Sequence, residues 1–191
     1  MKSYTQLPEG YREILHIDLQ NDKKLFWLVN GIALVITAVM LAVMVPLVSV
    51  RYLFAIYELK KLLVLCMGFV VYMVLHELVH GITMRHYSDA KVKCGFTGMY
   101  AFAASDAYYC RKHYIVIALA PIVVWGIVLG ILNFLVPISW FYVVYFIQVG
   151  NISGAAGDLY VTWRFRKLPG DILVHDTGVA MTVFSHESRQ R

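Results

Sequence analysis

Residues 62–84 read LLVLCMGFVVYMVLHELVHGITM, an apolar run that contains no Lys, Arg or Pro but does contain two histidines and a glutamate. At about 1.5 Å of rise per residue, a helix of this length crosses a hydrocarbon layer of about 30 Å. An ionisable group inside such a span costs about 2.5–3.5 kcal/mol on insertion scales, so His76, Glu77 and His80 need a shared purpose. Histidines at i and i+4 lie on one helix face, where two imidazoles can hold one Zn²⁺. The glutamate between them stands where it can deprotonate a water. The plainer alternative is a pair of packed, hydrogen-bonded core histidines, and Glu77 at the general-base position weighs against it.

Working outward, three more apolar runs qualify as spans: residues 25–48, 114–136 and 139–163. The chain of 191 residues is 60% hydrophobic and 15% charged, against about 45–50% and 25% for soluble domains. The expectation is an all-α integral membrane protein of about four transmembrane helices. Residues 1–24 read as a polar N-terminal segment, 25–163 as one membrane domain and 164–191 as a cytosolic tail, with Pro169-Gly170-Asp171 ending the fourth helix. No stretch reads as a cleaved signal peptide, because the first 24 residues are polar and the run that follows is too long.

Charge sets the orientation. If both termini are cytosolic, fourteen of the seventeen Lys and Arg fall inside, and Arg51, Lys60 and Lys61 fall outside. The predicted location is a cell membrane, crossed several times, with the lipid bilayer as a partner. The basic residues flank spans and do not interleave with aromatics in a patch, so the net charge of +5 gives no reason to invoke nucleic acid. Trp27, Trp140 and Trp163 stand at span ends as interface anchors. Cys66, Cys94 and Cys110 are too few and too irregular for a disulfide framework or a cysteine zinc site.

Between the second and third runs, Lys91–Phe96 alternates polar and apolar, Thr97-Gly98 can turn, and Met99–Ala103 can return. This is a β-hairpin-like segment, with an ordinary cytosolic loop as an equal alternative.

Two imidazoles do not hold a catalytic zinc alone; three protein ligands and one open position is the usual arrangement. Asp158 is the only other carboxylate in an apolar run, and the predicted topology brings it to the depth of His76 and His80. Gly150, Gly154 and Gly157 let helices approach closely there. Without a metal, Asp158 would pair with Arg85 or Arg111. Asn151, two turns before Asp158, is a candidate for substrate contact, although it and Gln148 suit helix-to-helix hydrogen bonds as well. His86 and His113 read as surface residues, and Pro121 as a kink of the kind membranes tolerate.

His76-Glu77-Leu78-Val79-His80, the Ala118-Leu119-Ala120-Pro121 stretch and Asn151-Ile152-Ser153-Gly154-Ala155-Ala156-Gly157-Asp158 together resemble the putative zincin peptidases of bacteria, a group similar to the site-2 proteases. The resemblance covers residues 60–165. It implies an intramembrane zinc metalloprotease with ligands His76, His80 and Asp158, the base Glu77 and a membrane-protein substrate. The departure is at Asp158, which follows Gly157 and precedes Leu159 where site-2 proteases carry an Asn-Pro-Asp-Gly type motif. Two rivals remain on sequence. One is a non-catalytic metal-binding scaffold or transporter, the other a zinc hydrolase acting on a lipid or prenylated peptide.

Overall fold

The computed structural model describes residues 3–18, 21–96, 101–178 and 180–186. In chain order the elements are β1 (Tyr11–Asp18), α1 (Lys23–Met44), α2 (Val50–Phe54), α3 (Leu59–Tyr87), β2 (Val92–Phe96), β3 (Ala101–Ser105), β4 (Tyr108–Cys110), α4 (Arg111–Leu135), α5 (Phe141–Gly154), α6 (Ala156–Arg166), β5 (Leu173–Asp176) and β6 (Ala180–His186). Among the described residues, α1, α3 and α4 are the helices long and apolar enough to cross a membrane. Asp22 starts α1: its Oδ1 accepts the backbone N–H groups of Lys24 and Leu25, two donors that a first turn leaves without partners. The apolar run continues to Val48, but the helix stops at Met44, ahead of Pro46, whose ring disfavours helical geometry in the preceding residue. Pro137 stands in the same relation to the end of α4.

The run at 139–163 is not a single helix. A 3₁₀ turn leads into α5, and Ala155, at φ −85° and ψ 20°, separates α5 from α6. Gly150, Gly154 and Gly157 are poor helix formers clustered around that break. The restart places Asp158 in the first turn of α6, where the helix dipole favours a negative charge.

The chain divides into two compact units. The first comprises residues 29–76 and 121–157. Its core is Ile56, Tyr142, Val143, Tyr145 and Val149, with a second cluster of Tyr72, Leu129 and Ile147. The hydroxyls of Tyr142 and Tyr145 donate to the carbonyls of Val48 (2.7 Å) and Met40 (2.8 Å), supplying donors near the end of α1 where an apolar setting offers none. Gly150 lets α5 approach α3: a Cβ there would lie 2.4 Å from the Phe69 ring. Gly154, by contrast, faces open space.

The second unit comprises residues 1–28, 77–120 and 158–191, and it corrects the expectation of an all-α chain. A four-stranded antiparallel sheet runs in the order β1-β6-β5-β4, so the segment read as polar contributes β1 and the segment read as a tail contributes β5 and β6 to one sheet. Tyr11 pairs with His186 and Asp18 with Ala180, with an irregularity between Glu13 and Leu15. Ile17, Leu173, Val174 and Val183 are buried on it, together with Tyr109 of β4 and Phe165 of α6. Partners more than 160 residues apart carry no hairpin signal, and the irregularity in β1 breaks the alternation that would mark a strand. β2 and β3 form a separate antiparallel pair with Phe96 opposite Ala101. The Thr97-Gly98 turn expected between them lies outside the described residues.

Candidate metal centre

His76 and His80 stand one turn apart on the unbroken helix α3, and both are buried. A ligand nitrogen of one lies within 4.8 Å of a ligand nitrogen of the other. The His80 Nδ1 is 2.9 Å from the carbonyl oxygen of Ile117. A carbonyl only accepts, so Nδ1 carries the proton and the neutral ring presents its lone pair at Nε2. That Nε2 is 3.6 Å from Oδ2 of Asp158, which is half-buried at the start of α6.

The His76 ring is oriented by a longer chain of hydrogen bonds. The Asn151 side-chain amide donates from Nδ2 to the carbonyl of Ile122 (3.3 Å), which leaves its Oδ1 to accept from the Tyr72 hydroxyl (3.1 Å). With its proton given to Asn151, the Tyr72 oxygen accepts from His76 Nδ1 at 2.8 Å. This network assigns His76 the same tautomer as His80, with Nε2 as the lone-pair nitrogen. Such partners on the far ring nitrogen are how metal-ligating histidines are oriented and made more basic.

Glu77 is half-buried between the two histidines. Asn151 is fully buried, and its amide serves the Tyr72 hydrogen bond and the Ile122 carbonyl. Gln148 donates to Gly126 O at 3.5 Å. His86 and His113 each pack against the Tyr87 ring.

Sequence reasoning missed Tyr72, although it precedes His76 by four residues and so shares its helix face. It also missed the pair formed by Tyr114 and Asp176. The Tyr114 hydroxyl donates to Asp176 Oδ2 at 2.5 Å, and the N–H of Gly178 donates to Oδ1 at 2.7 Å. Gly178 can do so because φ is +81°, the region that favours glycine. Burial pushes the Asp176 carboxyl above its ordinary range, against the two hydrogen bonds, which favour the charged form.

The family model described as putative zincin peptidase matches residues 69–173, more than half of the chain, and spans His76, Glu77, His80, Asn151 and Asp158. The chain belongs to the putative zincin peptidase family. No curated protein and no solved structure matches it. For a zincin peptidase the implied cofactor is zinc and the implied chemistry is peptide hydrolysis. The donor set fits that metal: two imidazoles with lone pairs at Nε2, each with Nδ1 engaged, and a carboxylate beside the second.

Proposed function

We propose that this zincin peptidase is an intramembrane zinc protease that hydrolyses peptide bonds of membrane-embedded or membrane-anchored proteins near the cytosolic face. His76, His80 and Asp158 would hold the zinc. The observation that carries the reading is the Asp158 carboxylate, 3.6 Å from the lone-pair nitrogen of His80 on a helix apolar enough to cross a membrane.

Bound zinc supplies Lewis acidity, which acidifies a water molecule and polarises the scissile carbonyl. Glu77 is the general base. Its carboxylate takes the proton of the attacking water as the C–O bond forms, and delivers it to the leaving amine nitrogen as the C–N bond breaks. A helical substrate keeps its peptide groups in its own hydrogen bonds, so it must unwind locally to be cut. The β2–β3 pair supplies strand edges on which an unwound segment can lie as an added strand. Fourteen of seventeen basic residues on the cytosolic side support an orientation with both termini inside.

Glu77→Gln separates this reading from a scaffold or transporter, because only a hydrolase needs the base once metal is bound. The purified variant should keep its zinc, while cleavage of a membrane-anchored reporter falls by about 10²–10⁴. Cleavage at the wild-type rate would refute the mechanism. Full zinc retention in both His76→Ala and His80→Ala would refute the site.

A further inference from the structure

α4 carries Pro121 in its interior. In an uninterrupted α-helix the N–H of residue 121 would donate to the carbonyl of residue 117. Proline has no N–H, and its ring crowds the carbonyl four residues earlier and tilts it away from the helix axis. The carbonyl so released is that of Ile117, a residue 1% exposed, at a place where water is not at hand to replace the lost donor. It is also the carbonyl that lies 2.9 Å from His80 Nδ1. A helix missing one hydrogen bond and an imidazole that needs an acceptor therefore resolve each other.

We propose that Pro121 is a positioning residue of the metal centre: by withholding its N–H it reserves the Ile117 carbonyl for His80, fixes the Nδ1–H tautomer, and aims Nε2 at the position beside Asp158. The inference rests on the zinc reading above. It gives a function to a proline that otherwise reads only as a kink. Any other residue at 121 would supply an N–H aligned with the helix axis, drawing the Ile117 oxygen back and leaving His80 with a longer, shared hydrogen bond.

The test compares wild type and Pro121→Ala as full-length, zinc-loaded proteins with ¹⁵N-labelled histidine rings. Alanine is a far better helix former than proline, so loss of fold is not the expected consequence. Two quantities are measured: zinc affinity by chelator competition, and the Nδ1–H resonances, assigned by their absence in His80→Ala and His76→Ala. Pro121→Ala should bind zinc about 10- to 100-fold more weakly. The His80 Nδ1–H signal should move upfield as its hydrogen bond lengthens, and that of His76, which is held through Tyr72, should stay in place. Wild-type affinity with an unmoved His80 signal would overturn the proposal. Equal movement of both signals would overturn it too, by showing a general effect of the kink. If the wild-type protein takes up no zinc, the metal reading itself fails and this inference falls with it.

Discussion

The Tyr72 hydroxyl gives its proton to Asn151, so its oxygen is left as an acceptor for His76. Tyr72→Phe keeps the ring that packs edge-on against His76 and Trp125 and removes the hydroxyl, deleting both the acceptor for His76 and the donor to Asn151. The expected result is zinc affinity weakened about 10- to 100-fold with helix content unchanged, measured by chelator competition and circular dichroism. Wild-type affinity in Tyr72→Phe would mean that the hydroxyl does not orient the ligand. At this scale the sequence spoke unevenly, for a physical reason. The pairing of His76 with His80 was legible because helix geometry alone turns a spacing of four into one face. Asp158 could be reached because a carboxylate in an apolar run is costly enough to demand an explanation. Tyr72 looks like packing in any hydrophobic stretch, and the Ile117 carbonyl belongs to the backbone, which no residue letter reports.

At the scale of elements, length and hydropathy located α1, α3 and α4, and proline set the ends of α1 and α4. They did not reveal the break at Ala155, which depends on small residues weakening a helix and on a favourable place for Asp158 in a new first turn. Nor did they reveal the four-stranded sheet, whose strands of three to eight residues come from the two ends of the chain (β1, β5 and β6) and from its middle (β4). Short strands with distant partners are fixed by tertiary burial, as at Leu173, Val174 and Val183, more than by local propensity. The β2–β3 pair carries a prediction of its own. Ala101, opposite Phe96, begins the return strand β3, and Ala101→Pro removes one backbone donor there. If substrate binds by strand addition, cleavage should weaken while zinc content stays at the wild-type level. Unchanged cleavage would assign the pair a structural role only.

Two properties belong to the whole molecule. The first is its response to pH through Asp176, which is buried against Tyr114 and within electrostatic reach of His80 and Asp158. A carboxyl whose folded pKa is raised holds its proton more tightly in the native state. Its contribution to stability is therefore complete below the unfolded value of 3.8 and is lost as pH rises through the folded value. Asp176→Asn mimics the protonated acid, with its NH₂ toward the Tyr114 oxygen and its carbonyl toward the Gly178 N–H. Melting temperatures measured from about pH 4 upward should fall less steeply with pH in Asp176→Asn than in wild type. Parallel curves would remove Asp176 as the cause.

The second is orientation in the bilayer, which determines the compartment from which substrate and water reach the centre. In the proposed orientation the connection between α1 and α3 lies outside and both termini lie in the cytosol, as the distribution of basic residues favours. Tyr57, in a 3₁₀ turn of that connection, is 80% exposed and tolerant of a probe. In a background freed of Cys66, Cys94 and Cys110, a cysteine at Tyr57 should react with a membrane-impermeant reagent added to intact cells, and one at Gln190 should react only after lysis. Orientation costs are collective, about 1 kcal/mol for each basic residue near an anionic cytosolic leaflet, so an eleven-residue excess leaves little room for a mixed population. The reverse labelling pattern would turn the proposed centre toward the exterior and make its substrates those exposed outside the cell.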